Sequence, residues 1–190
     1  PVSSAWRVGR DHLQYSMLSP LWRLEGEAAA LEGLEVDAEV CVQTCGAVPE
    51  GVDALFAGAA VGQSALVIKD RRYLAWRYDD RPQGEYLWLR AQRGQELVGW
   101  MVLATGRLEG RQALWVLDSL VGRGDEVAQR ALMAGAARQA RARGLDTLAQ
   151  IGTDACREWE GLQDLGLRVV PSGYSFAGRS YMPRRPVAWW

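Results

Sequence analysis

The stretch ALWVLDSLVGRGDEVAQRALMAGAARQARARG, residues 113–144, decides how the chain is read. Ala113–Val121 is apolar at nearly every position, so a strand here is buried on both faces, as a central strand is. From Asp125 the pattern becomes a long helical one that runs to Arg143. Asp125 and Glu126 stand in its first turn and Arg138, Arg141 and Arg143 in its last turns, which suits the helix dipole at both ends. Gly144 follows where a helix stop favours glycine. A buried strand running straight into a capped helix is a unit of a layered α/β domain.

Upstream, Tyr86–Gln92 and Glu96–Thr105 read as strands joined by the turn Arg93-Gly94-Gln95, a hairpin signal, and Arg107–Arg111 makes a second turn into Ala113. Lys69–Tyr78 (KDRRYLAWRY) reads as a short helix presenting Leu74, Trp76 and Tyr78, broken by Asp79-Asp80-Arg81-Pro82. Pro49-Glu50 opens a small-residue helix through about Ala60. Val36, Ala38, Val40 and Val42 alternate with Glu35, Asp37, Glu39 and Gln43, the period of a half-exposed strand. Residues 25–33 form a short helix or a polar linker, and residues 1–24 hold one or two extended segments and a loop. Downstream, Leu145–Ile151 is a strand, and Asp154–Leu165 a helix with Thr153 or Asp154 as N-cap and Gly166 as stop. Arg168–Val170 and Tyr174–Tyr181 are strands around the turn Pro171-Ser172-Gly173, and the tail PRRPVAWW is irregular. The order predicts a mixed α/β layout with helices packed on a sheet.

Composition narrows the function. The chain has 190 residues, 48% hydrophobic and 24% charged, which is globular composition and a length for one domain. With 22 basic and 23 acidic residues the net charge is −1, which argues against non-specific nucleic-acid binding. His12 is the only histidine, so a His-based triad and a multi-His metal site are excluded within this chain, and no metal is expected. Lys69 is the only lysine among the basic residues; the rest are arginine. Cys41, Cys45 and Cys156 form no CxxC pair and read as free thiols. No apolar run approaches a membrane span and no signal peptide opens the chain, so no membrane partner and a cytoplasmic location are expected. The chain begins at Pro1, not Met, which suggests a processed product or a fragment.

Between Glu35 and Tyr181 the landmarks and their order resemble the GNAT superfamily of N-acetyltransferases. Glu96-Leu97-Val98-Gly99 looks like that fold's third-strand signature. Arg123-Gly124-Asp125-Glu126-Val127-Ala128-Gln129-Arg130-Ala131-Leu132 is similar to its pyrophosphate loop and following helix, and Asp164-Leu165-Gly166-Leu167 stands in place of its closing signature. Tyr73–Tyr78 (YLAWRY) with Pro82 also looks like a bacterial GNAT subgroup of unassigned function. The resemblance implies a mixed, mostly antiparallel sheet flanked by helices and acetyl-CoA as co-substrate, bound by Leu120, Val121, Arg123, Gly124, Asp125, Glu126, Val127 and Ala128. Unpaired amides at a strand end and a helix N-terminus are the physical basis of such a phosphate site. Glu126 stands in the family's middle glycine slot, where its bulk and charge oppose a diphosphate. Leu162 stands where many members carry a tyrosine that serves as proton donor to the leaving thiol.

Asp118, on the fourth strand of that pattern, is the candidate general base, since a carboxylate among Trp115, Val116, Leu117, Leu120 and Val121 is partly desolvated. A structural Asp118, hydrogen-bonded or ion-paired, is the other reading. Trp76, Tyr78, Trp88, Trp100 and Trp115 either line an acceptor cleft or are core. Arg184 and Arg185 read as a solvated tail.

The two ends of the chain echo each other: Trp6-Arg7-Val8 with Tyr15 parallels Leu167-Arg168-Val169 with Phe176. Residues 1–34 therefore read as an N-terminal extension, the last strands of a preceding GNAT-like half, and residues 35–190 as the GNAT-like domain. The function implied is acyl transfer to an unidentified amine, either a small molecule or a protein N-terminus or lysine. The alternative is a non-catalytic binding or dimerisation module, the degenerate half of a duplicated acetyltransferase. Apolar residues in 1–24 predict a homodimer with that segment at the contact.

Overall fold

The computed structural model describes residues 6–8, 14–61, 67–81, 84–152 and 158–179, with the backbone alone for 6–8, 14–20 and 176–179. The expectations for Pro1, His12, Leu13, Pro82, Thr153, Asp154, Cys156, Tyr181 and the tail with Arg184 and Arg185 lie outside these residues. Along the chain come β1 (Trp6–Val8), β2 (Gln14–Glu27), α1 (Ala28–Glu32), β3 (Val40–Cys45), α2 (Val52–Ala60), α3 (Arg71–Leu74) and a π-helical turn, Ala75–Asp79. There follow β4 (Leu87–Arg93), β5 (Glu96–Leu108), β6 (Arg111–Val121), α4 (Glu126–Ala142), β7 (Thr147–Gly152), α5 (Trp159–Asp164) and β8 (Arg168–Arg179). The strands form one mixed, mostly antiparallel sheet in the order β1-β2-β7-β6-β5-β4-β3, with β8 also paired to β2. Its only parallel pair among the described residues is β6 with β7. One face packs on α1, α4 and α5 through Leu31, Leu132, Met133 and Leu162. The other packs on α2, α3 and the π-turn through Val52, Leu74, Tyr78, Trp88 and Trp100. Among the described residues no helix is long and apolar enough to cross a membrane.

Local chemistry accounts for the meander and the long helix. Gly94, at φ +61°, turns β4 into β5. The β5–β6 turn places both Glu109 (φ +49°) and Gly110 (φ +86°) in the left-handed region, which suits a two-residue hairpin loop but costs a glutamate strain. Helix α4 is closed at its C-terminus by Gly144 at φ +69°, with the Leu145 amide donating 2.9 Å to the Ala140 carbonyl. Its alanine-rich inner face lets it lie close on the sheet: a Cβ at Gly99 would sit 2.9 Å from Leu132 Cδ1.

The structure corrects three local expectations. The strand expected from Val36 begins only at Val40, because the Asp37 carboxylate accepts the Glu39 amide (2.9 Å) and its carbonyl accepts Val40 N–H (3.2 Å), which makes a turn. The helix expected over Lys69–Tyr78 starts at Arg71, since Asp70 caps it by accepting the Tyr73 amide at 2.7 Å, and it ends as a π-turn. Of the helix expected over Asp154–Leu165, the described residues show Trp159–Asp164 as α5. Residues 168–179 are one strand, not two around a turn. Ser172, Gly173 and Tyr174 bulge opposite Leu21, with Gly173 at φ +75°. The Ser172 hydroxyl donates to the Leu21 carbonyl and accepts from Tyr174 N–H, so pairing resumes beyond the bulge.

Residues 14–34 are woven into the sheet. β2 pairs β7 on one edge over Trp22–Glu27 and β8 on the other over Ser16–Glu25, and α1 docks on α4 with Leu31 buried. Over Trp22–Glu25 the β2 backbone is paired on both edges. The terminal echo also differs in course: Trp6–Val8 folds back on β2, whereas residues 168–179 continue as a single strand.

Interior β2 carries two buried charges. Arg23 Nε donates to Glu25 Oε1, and Arg23 Nη2 donates to Glu109 from the β5–β6 turn. Burial lowers the Arg23 pKa, but its bonds to Glu109 and Glu25 outweigh this and leave it raised. Glu25→Ala is expected to cost about 3 kcal/mol, the lower end for breaking a buried pair, because Glu109 remains as a second partner. Chemical denaturation measures it, and a cost below about 1 kcal/mol would mean the pair is dispensable.

Candidate active site

β6 and β7 pair only over Leu114–Val116 and Leu148–Gln150. Beyond Val116, β6 keeps β5 alone as its neighbour, and the parallel strands part. A bulge marks the spot: Leu103 opposes Val116 and Val102 opposes Asp118, so Leu117 is the extra residue and is 44% exposed. Past the bulge, Leu120 packs on the aromatic side of the sheet and Val121 on the α4 side.

Asp118 lies on this bulged segment. Its Oδ1 accepts Lys69 Nζ at 2.6 Å and its own neighbour's amide, Ser119 N–H, at 2.9 Å. Its Oδ2 accepts the Tyr78 hydroxyl at 3.2 Å. Lys69 Nζ also donates to the Ser119 carbonyl at 3.1 Å and sits 5.7 Å from the Trp100 ring centre. The Lys69 and Asp118 side chains are 21% and 14% exposed, so the pair is shielded but within reach of solvent. Arg77 Nε donates to the Tyr78 oxygen at 3.1 Å. The π-turn sets this network by sending Tyr78 to Asp118 and Asp79 to Trp88 Nε1 and the Val48 amide, both at 3.0 Å.

Burial, and then the Asp118 charge, push the Tyr78 pKa up to about 12, against the bond from Arg77. A free tyrosine ionises near pH 10. Stability from the neutral Tyr78 hydroxyl is thus complete below about pH 10 and is lost as pH rises towards 12. In an ultraviolet tyrosinate titration, one of the six tyrosines should ionise last, and Tyr78→Phe should remove that step. Six tyrosines titrating together would contradict it.

The predicted cofactor residues form a continuous bend from β6 into α4. Gly122 N–H donates to the Val98 carbonyl (3.0 Å), and Gly124 adopts φ +73°. Asp125 caps α4 by accepting Ala128 N–H at 3.0 Å, and Arg93 grips the same carboxylate with both Nη atoms at 3.2 Å. Arg123 is exposed and donates to the Val61 carbonyl at 3.3 Å. Glu126 and Val127 are exposed, Ala128 is fully buried in the core, and Glu126 makes no ion pair among the described residues. Sequence reasoning placed Asp125 in the first turn and among the cofactor residues; what it did not foresee is that the Asp125 carboxylate already takes a first-turn amide. The signal was its position as N-cap, three residues before the amide it binds.

Other expectations resolve differently. Tyr78, Trp88 and Trp100 form an aromatic core, with Tyr78 edge-on to Trp88 at 5.6 Å and Trp88 tilted against Trp100 at 5.7 Å. Trp76 is 64% exposed, and Trp115 packs elsewhere, against Leu108, Ala113 and Ala149. The five aromatics therefore do not share one cleft. Leu162 is buried in the α4 core. Lys69 and Arg77 were not singled out for the site; the singularity of Lys69 was a signal, and its pairing was not.

A mixed sheet whose central parallel strands part beside a helix N-terminus defines a GNAT-like fold. Solved structures agree. The chain is similar to a GCN5-related N-acetyltransferase from Anabaena variabilis ATCC 29413 at 9% identity and TM-score 0.57, over 80% of this chain and 37% of that one. It is similar to a GCN5-related N-acetyltransferase from Kribbella flavida at 19% identity and TM-score 0.52, over 85% of this chain and 36% of that one. A conserved protein of unknown function from Staphylococcus epidermidis ATCC 12228 matches at 12% identity and TM-score 0.54, over 82% of this chain and 60% of that one. The chain spans less than two thirds of each. No protein-family model matches the sequence, and no curated protein matches it.

Proposed function

We propose that the chain is an N-acyltransferase that uses acetyl-CoA and acts on an amine, a small molecule or a protein N-terminus or lysine. The observation that carries this is the parting of β6 from β7 past Val116, with the α4 N-terminus and Asp118 at the opening. The residues present fit an anionic co-substrate: Arg93 offsets the Asp125 charge, Arg123 offers an exposed cation, and the first-turn amides of α4 face outward along its dipole. Leu120, Val121, Arg123, Gly124, Asp125, Glu126, Val127 and Ala128 would hold it, with Ala128 contributing backbone only, since its side chain is core. When bound, acetyl-CoA supplies an acyl thioester. Asp118 accepts the proton of the amine, which must first displace Lys69 from the carboxylate. The non-catalytic module is the second reading, and the saturation of Asp118 by Lys69, Tyr78 and Ser119 N–H favours it.

Calorimetric titration of acetyl-CoA tests the proposal; absence of binding removes it. Glu126→Gly is expected to tighten binding about fivefold, since an exposed like charge about 4 Å from a phosphate costs about 1 kcal/mol in water. Unchanged affinity would show that Glu126 stands clear of the ligand.

A further inference from the structure

We infer that Lys69 is itself an acyl acceptor, so that the chain acylates its own ε-amine at this position. The inference rests on the acyltransferase reading and goes beyond it by naming an acceptor. Lys69 Nζ lies 2.6 Å from Asp118 Oδ1, the place an acceptor ammonium must take to give up its proton there. The amine is partly exposed, on the segment just before α3, and Asp118 stands where β6 has left β7.

Residue choice adds a second argument. Every other basic residue of the chain is arginine. Arginine would hold the Asp118 carboxylate with a two-pronged, permanently charged grip. What lysine adds is an amine that can lose a proton and become a nucleophile. The surroundings suit that change: the Trp100 face and the Ser119 carbonyl hold Nζ in place, and Tyr78 keeps a hydrogen bond on Asp118 once the lysine charge is gone.

The step balances. Lys69 ammonium gives one proton to Asp118. The Nζ lone pair attacks the carbonyl carbon of an acyl thioester, the C–N bond forms and the C–S bond breaks. The second nitrogen proton goes to the departing thiolate, and Asp118 releases the first to solvent. The products are an amide on Lys69, a free thiol and one proton.

The test incubates the purified chain with acetyl-CoA and follows peptide mass. One acetyl group on Lys69 is expected, absent from Lys69→Arg. Asp118→Asn, checked for fold by circular dichroism, should slow its appearance about 100-fold, the lower end for a lost general base. Tyr78→Phe, which takes from Asp118 the side-chain donor that stays once the lysine charge is gone, should slow it; this variant decides the matter if Asp118→Asn does not fold. Acetyl-CoA binding by calorimetry with Lys69 unmodified would overturn the inference and leave the acyltransferase reading standing. Acetylation at equal rates in wild type, Asp118→Asn and Tyr78→Phe would reduce it to unassisted chemical modification and overturn it as well. Neither binding nor acetylation would overturn both.

Discussion

A chain lacking residues 1–24 is expected not to fold. Those residues supply most of β2, which holds β7 on one side and β8 on the other. β8 has no other strand partner among the described residues, so the truncation strips it of its ladder and opens the β7 edge. Leu24, 1% exposed, leaves the core shared with α4, and Glu25 loses the buried Arg23 guanidinium. A domain of this size is stable by about 5–15 kcal/mol in all, and loss of an interior strand exceeds what it can absorb. Circular dichroism and thermal denaturation should show no cooperative transition. A truncated chain that melts cooperatively with an α/β spectrum would mean that β7 and β8 pair without β2. The sequence reading expects these residues at a dimer contact that can be cut away; their pairing within the sheet is why removal is expected to unfold the chain instead. Among the described residues β3 pairs β4 alone and β8 pairs β2 alone, so each leaves one edge without a strand.

The second large effect is on turnover. On the proposed acyltransferase reading, Asp118→Asn preserves shape and removes the proton acceptor, so the acyl-transfer rate is expected to fall by about 10²–10⁴ while acetyl-CoA affinity holds. Affinity holds because the loop from Gly122 to Asp125 is fixed by Val98, Arg93 and Ala128, none of which touches Asp118. Some stability is lost too, since Lys69 then faces only uncharged oxygens, the new side-chain amide and the Ser119 carbonyl. Comparing turnover with binding separates the roles. A rate within twofold of wild type would assign Asp118 to holding Lys69 and Tyr78 in place, which favours the non-catalytic reading.

Much of the fold was legible because it is local. The β4–β5–β6 meander is written in alternating apolar runs with glycine turns, and α4 in its Asp125 cap, its first-turn acid and its Gly144 stop. These features depend on neighbours within a few residues, so sequence order alone carries them. The loop from Leu120 to Ala128 was legible for the same reason. The site's side chains were not. Asp118 could be named as a carboxylate in an apolar strand, but its partners Lys69 and Tyr78 come from 49 and 40 residues away.

By itself the sequence determined the element order, the GNAT-like resemblance and the position of Asp118 beside the β6–α4 bend. Tertiary structure decided three things. It placed β2 between β7 and β8, where pairing depends on register across more than a hundred residues. It gave the α4 N-terminus to Asp125 and Arg93, not to Glu126, because strand β4 ends beside the helix start. It also paired the only lysine with Asp118, because a capping Asp70 stops the helix short and leaves Lys69 over the sheet. Each is a contact between segments distant in the chain, where no periodicity or propensity records the partner.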